Sequence, residues 1–208
     1  MPICTRIRII TALQALAAAY AATGADLRVM APMVATVDEA QWFASKAREH
    51  GFPSVGIMVE TPAAAVNSQN VLAGLDFASI GTNDLAQYTM AVDRLQGPLA
   101  SLLSPWQPAV LHMIRATCDG GAAAGVKIGV CGEAAGDPLL AIILVGLGVS
   151  SLSMSTTKIP AVRMALSRHT FQQCQQIADR VLDMATSDAA RAAALEEVDR
   201  ELGALVTH

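Results

Sequence analysis

The sequence predicts an α/β fold built on a parallel β-sheet, and three observations lead there. Short apolar, β-compatible runs alternate with longer segments of helical periodicity along the 208 residues. The runs read as apolar throughout, as strands buried on both faces do, and each precedes a helix. The side chains capable of chemistry fall at or just after the C-terminal ends of those runs, where α/β folds place their sites. A doubly wound sheet and part of a (β/α)8 barrel both satisfy these observations, and both predict a sheet covered on two sides. No G-x-G-x-x-G follows a first strand, so a dinucleotide site has nothing to recommend it.

Thr5 to Ala22 is alanine-rich with apolar residues at helical spacing, and Gly24 is placed to stop that helix. Leu27 to Val34 is the first strand. Thr36 follows as an N-cap with Glu39 three positions on, opening a helix to about His50, ended by Gly51. Val55 to Glu60 is the second strand, and Pro62 suits the first turn of a helix reaching about Leu75. Phe77 to Gly81 is the third, followed by Thr82-Asn83-Asp84 and a helix through Tyr88 and Met90. A loop with Pro98 and Pro105 leads to a helix from about Gln107 to Ala124, then to the fourth strand, VKIGVCG. Asp137 and Pro138 start an apolar helix, and Ser151 to Ser155 is the fifth strand. Two helices, about Phe171 to Ala185 and Asp188 to Leu205, follow.

At 53% hydrophobic and 15% charged residues, the chain can bury a large core. Its net charge of −4 comes with neither a basic stripe nor a polyanionic tail, so neither nucleic acid nor a membrane surface is expected as a partner. The longest uncharged apolar run, Leu139 to Val149, is well short of the ~20 residues a membrane-spanning helix needs and is expected to be a buried helix. No secretory signal is readable at the N-terminus. Cys4, Cys118, Cys131 and Cys174 lie far apart without a CxxC pair, which argues against a disulfide framework or a zinc site and for a reducing cytoplasm.

Glu60 and Asp84 each follow a strand, and Cys131 sits near the end of the next. Two carboxylates and a thiol at successive strand ends suggest one metal-dependent active site. Taken singly, each has a plainer reading: Glu60 as a charge favouring the next helix dipole, Thr82-Asn83-Asp84 as a helix start, Cys131 as an inert small hydrophobe. His50, His112, His169 and His208 have no partner spacing and read as surface or structural. Trp42 and Trp106 are expected to pack helices onto the sheet.

Four separated stretches bring a family into view: MVETPAAA from Met58, SIGTNDLAQYTMAVDR from Ser79, CGEAAGDP from Cys131 and SLSMSTTKIP from Ser151. In this order they resemble the barrel domain of the phosphoenolpyruvate-utilising enzymes, most closely enzyme I of the bacterial phosphoenolpyruvate:sugar phosphotransferase system. The similarity runs from about Leu27 to the end of the chain. Pyruvate phosphate dikinase and phosphoenolpyruvate synthase share the carboxylates and the cysteine, while AQYTMAVDR and SMS are closer to enzyme I.

The resemblance implies the last five strand-helix units of a TIM (β/α)8 barrel. It also implies Mg²⁺ held by Glu60 and Asp84, hard oxygens of the kind that ion takes while sharing its shell with substrate oxygens. Asn83 and Arg94 match residues that touch the phosphoryl group, the arginine through its planar fork. Cys131 matches the proton donor to the enolate carbon as pyruvate is left behind, and a thiol with a reference pKa of about 8.5 holds its proton near neutrality yet can give it up. In the family the phosphoryl group passes to a histidine on a separate domain and then to a phosphocarrier protein, in sugar transport. The barrel is the dimerising part, so a homodimer is expected.

The family's barrel has eight strands over roughly 250 residues, and five are readable here. The resemblance therefore implies that residues 1–208 are the C-terminal portion of such a barrel, without its first three strands and without the phosphohistidine domain, and not active alone. A truncated product, a fragment of a longer chain and a half-barrel completed by another polypeptide are the explanations weighed. A dikinase or synthase fragment and a non-catalytic remnant that binds a full-length enzyme I are the alternatives.

Overall fold

The computed structural model describes residues 3–93 and 97–198. Five strands, β1 (Arg28–Ala31), β2 (Ser54–Val59), β3 (Phe77–Gly81), β4 (Lys127–Cys131) and β5 (Ser151–Ser153), pair in that order, all parallel. A doubly wound sheet must reverse its strand order partway, and this one does not. It is an α/β fold with the strand order of a (β/α)8 barrel, five units long. The helices are α1 (Ile3–Thr23), α2 (Val37–Glu49), α3 (Pro62–Val66), α4 (Ser68–Val71), α5 (Thr82–Met90), α6 (Pro108–Ala124), α7 (Pro138–Gly146), α8 (Ile159–Ser167), α9 (Phe171–Leu182) and α10 (Ser187–Glu197).

The expectation of a sheet covered on both sides is corrected. Val29, Ala31, Val55, Ile57, Val59, Ala78, Ile80, Ile128 and Val130 are buried on one face. Their neighbours along the strands point the other way, where Arg28, Met30, Lys127, Ser151 and Ser153 are exposed and Met58, Phe77, Ser79 and Cys131 half-buried. Right-handed crossovers joined in sequential order put the helices between successive strands on the same side, so the second face stays open. Glycine, serine and methionine on that face had made the strands read as unbroken apolar runs.

The apolar run at Leu139 is buried as expected. In α7, Leu139, Leu140, Ala141, Ile142, Ile143 and Leu144 are all buried, because α8 and α9 pack against it while its other side joins the core of the sheet. A helix apolar all round needs such two-sided cover. No helix among the described residues is long and apolar enough to cross a membrane. Next to it, α9 buries Cys174, Ile177, Ala178 and Val181, one stripe at helical spacing, and opens with a capping box between Thr170 and Gln173.

Local signals fixed most helix ends. The Thr36 side chain accepts from the Glu39 amide at 3.3 Å, Thr61 caps α3 ahead of Pro62, and Asp137 Oδ1 accepts from the Leu139 and Leu140 amides. At the end of α6, Gly125 takes φ 71°, the left-handed C-terminal stop that suits glycine. Two differences stand out. The helix expected from Pro62 to Leu75 is broken at Asn67 into α3 and α4, and α8, with Pro160 in its first turn and Val162 and Ala165 buried, was not expected at all. α1 buries only Leu13 among residues 7–23; with the free edge of β1 it walls an apolar groove of about 680 Å³. Trp106 is buried in the core and Trp42 half-buried against it.

Burial pushes the Cys118 thiol from 9.0 up to about 12, assisted by the negative charge of Asp119; burial likewise raises Cys174. Below pH 9 both folded and unfolded states keep the Cys118 proton. Between 9 and about 12 only the folded state does, so stability is expected to fall across that window, by about 2 kcal/mol at a pH of about 10.5 from Cys118. Urea midpoints at about pH 8 and about pH 10.5 measure it, and the loss should shrink in Cys118→Ala. An equal loss in that variant would remove the assignment to this thiol.

Candidate active site

The register of the sheet assembles the candidate residues. Val59 pairs with Ile80 and Gly81 with Cys131, which in turn pairs with Ser153. One step beyond Val59, Glu60 comes opposite Gly81. Glu60, Gly81, Cys131 and Ser153 thus form a single rung across four strands at their C-terminal ends. Directly opposed residues of parallel strands point to the same face, and this is the open one.

Glu60 is 4% exposed. Its Oε1 accepts the Met33 backbone N–H at 2.6 Å, and Met33 holds φ 55°, a left-handed conformation uncommon for a residue with a side chain. Its Oε2 leans into the space over Gly81, 2.8 Å from where a Cβ on that glycine would stand. Gly81 also ends β3 and precedes α5, whose third residue is the half-buried Asp84. The turn between them crosses toward β4. The Thr82 hydroxyl donates to the Cys131 carbonyl at 3.5 Å, and Asn83 Nδ2 lies 3.9 Å from the Cβ position of Gly132. The Cys131 thiol, half-buried, donates to the Ile80 carbonyl at 3.5 Å.

Glu60 and Cys131 therefore flank Gly81 on one rung, Asn83 lies beside Gly132, and Asp84 follows in the first turn of α5. Arg94 lies outside the described residues. Of the histidines, His169 binds the Ala165 carbonyl through Nδ1 at 2.8 Å, a local structural contact. Beside the rung, a cavity of about 900 Å³ opens between the ends of β4 and β5, lined by Gly132, Asp137, Ser153, Lys158 and Arg191 among others. Sequence reasoning passed over Met33, Gly81, Lys158 and Arg191. Only Gly81 had a visible signal, a glycine closing an apolar strand just before a helix start.

Among the described residues no group of three or more His, Cys, Asp or Glu side chains stands together, so a closed all-protein cage of the structural zinc kind does not fit. Carboxylate oxygens from Glu60 and Asp84 fit a hard divalent cation that keeps water and substrate oxygens for the rest of its shell.

Cys131 differs from its counterparts in the core. Cys118 and Cys174 are buried and Cys131 is half-exposed, so in a Cys4→Ser background iodoacetamide is expected to alkylate Cys131 well before the other two. Peptide mapping by mass spectrometry reads the order, and simultaneous labelling of Cys118 would contradict the placement of the thiol at the open face.

The family model described as PEP-utilising enzyme, PEP-binding domain matches residues 3–171. The phosphoenolpyruvate-protein phosphotransferase of Streptomyces coelicolor is 46% identical over 185 residues, 88% of this chain and 33% of that protein. Its namesake in Haloferax volcanii is 43% identical over 82% of this chain and 32% of its own length. A multiphosphoryl transfer protein of Xanthomonas campestris is 42% identical over 81% of this chain and 21% of its own. The chain spans about a third of the length of the phosphotransferases it matches. It belongs to the family of PEP-utilising enzymes, as a PEP-binding domain.

Proposed function

We propose that this chain carries the phosphoenolpyruvate-binding part of a Mg²⁺-dependent phosphoenolpyruvate-protein phosphotransferase, in which the phosphoryl group passes to a histidine and pyruvate is left. The observation that carries the reading is the rung: a buried carboxylate and a half-exposed thiol face the same open side, with a second carboxylate one helical turn away.

Glu60 and Asp84 would hold the ion, and Mg²⁺ when bound supplies charge neutralisation to the substrate's phosphate and carboxylate oxygens. Asn83 and Arg94 are assigned to the phosphoryl group. Gly81 gives α5 no side-chain cap, so the first-turn amides and the positive end of the helix add attraction for an anion there. When the bond from phosphorus to the enol oxygen breaks and one from phosphorus to the acceptor nitrogen forms, the enolate is left on the substrate. The Cys131 thiol then gives its proton to the methylene carbon, and the thiolate regains one from solvent. Its hydrogen bond to the Ile80 carbonyl is a weak one, released at little cost.

The acceptor histidine and a phosphocarrier protein are assigned to a longer assembly, as are the homodimer, the sugar-transport role and the cytoplasmic setting; the relatives' greater length supports that assignment. The first barrel strands are assigned to that assembly too. Phosphoenolpyruvate carries about three negative charges, and Arg94 with one ion offsets too few for tight binding. Calorimetric titration of this chain with phosphoenolpyruvate is expected to give a Kd near the millimolar range with Mg²⁺, about −4 kcal/mol, and markedly weaker binding with the metal chelated. Equal heats in the two conditions would discard the metal assignment. The relatives' names favour this reading over a dikinase fragment.

A further inference from the structure

We propose that Gly81 is a positioning residue for Glu60: the missing side chain leaves the space through which that carboxylate reaches the centre of the rung. The inference deepens the metal-site reading above and rests on it for the purpose of the positioning, though not for its geometry.

The backbone does not require glycine here. Gly81 has φ −89°, outside the left-handed region, so any L-residue could adopt it. What demands glycine is space. An added Cβ would stand 2.8 Å from Glu60 Oε2, 3.0 Å from Met58 Sδ and 3.2 Å from Glu60 Cβ. The methionine sulfur is the end of a flexible chain and moves aside easily. The Glu60 Cβ is fixed by its strand and yields only by a few tenths of an ångström of backbone shift, whereas the 2.8 Å overlap with Oε2 is relieved by turning the carboxylate away from Gly81.

That rotation has a specific consequence. The opposite oxygen, Oε1, is held by the Met33 amide at 2.6 Å, and Met33 keeps a strained φ of 55° while presenting it. The carboxylate is thus clamped between an amide from the turn after β1 and a vacancy in β3. Filling the vacancy pulls Oε1 off the amide and Oε2 away from the Cys131 side of the rung. The pleat gives the other half of the reason. Gly81 lies between Glu60 and Cys131 on their rung, so any side chain there would separate the carboxylate from the thiol.

The other glycines on the open face serve different neighbours. A Cβ at Gly56 would meet the Phe77 carbonyl and ring, and one at Gly129 the Ser151 hydroxyl. Those contacts concern packing between strands alone. Gly81 is the one among them whose space is filled by a candidate ligand.

The test is a double-mutant cycle on this chain with Gly81→Ala, Glu60→Ala and the pair, read by thermal unfolding without metal and by electron paramagnetic resonance of added Mn²⁺. Gly81→Ala is expected to lower Tm by about 2–4 °C and to weaken Mn²⁺ binding at least tenfold, with near-native circular dichroism. In the Glu60→Ala background the same change should move Tm clearly less, because the carboxylate it displaces is gone and only the Met58 and Cβ contacts, common to both backgrounds, remain. Additive Tm shifts would overturn the inference, as would wild-type Mn²⁺ affinity in Gly81→Ala. If the unmutated chain binds no Mn²⁺, the metal reading is lost and the Tm coupling alone decides the role of Gly81.

Discussion

Replacing Glu60 with glutamine is expected to reduce Mg²⁺-dependent phosphoenolpyruvate binding by at least roughly 100-fold, beyond the 10–100-fold typical of a residue that only supports a ligand. Glutamine keeps the shape of the side chain and an acceptor oxygen for the Met33 amide, so the fold should hold while the charge is lost. Asp84→Asn is expected to act similarly from the first turn of α5. Calorimetry with and without chelator measures the effect. Full Mg²⁺-dependent binding by Glu60→Gln would end the proposal that these carboxylates hold the ion.

Substituting Gly146 with alanine should produce the largest loss of stability. Gly146 ends α7 where it meets α9, and a Cβ there would stand 2.1 Å from the Cys174 carbonyl oxygen and 2.8 Å from the Ala178 Cβ. The obstacle is backbone, so neither partner can turn aside; the two helices must separate. Overpacking of this kind costs about 1–3 kcal/mol, and an overlap this deep belongs at the upper end. The gain from alanine's helix propensity, about 1 kcal/mol in a helix interior, is only partly realised at the last residue of α7. A fall in Tm of about 4–12 °C follows for a domain of this size. Differential scanning calorimetry decides it, and an unchanged midpoint would mean that α7 and α9 do not pack as described.

The two experiments touch different levels of the same fold. The α7–α9 contact holds the outer layer, whose wholly apolar helix could be recognised in the sequence as buried but whose partner could not. The rung at Glu60 depends on strand register, and register shifted by one residue would turn every side chain to the opposite face. The sequence placed Glu60 and Cys131 at strand ends; it did not say that they share one rung with an empty position between them.

Local chemistry was sufficient for much of the architecture. Caps at Thr36, Thr61, Asp137 and Thr170, the glycine stop at Gly125, and the alternation of strand and helix are short-range effects, each decided by a few neighbouring residues. The candidacy of Glu60, Asn83, Asp84 and Cys131 rests likewise on motifs whose residues are adjacent in the chain. α8 escaped because its signals, a proline in the first turn and two buried aliphatics, are weak without the neighbouring α7 that buries them.

Whether the sheet was doubly wound or barrel-like, and whether one face or two were covered, depended on strand order, which is a long-range property that composition does not encode. The same holds for the clamp on Glu60, where Met33 donates across 27 residues of sequence and Gly81 contributes by having no side chain. The sequence by itself determined which residues could do chemistry and at which strand ends they lie. Only the tertiary structure decided that Glu60 and Cys131 share one rung, because pairing between strands, with space left where a glycine stands, is what brings separate chain segments to one place.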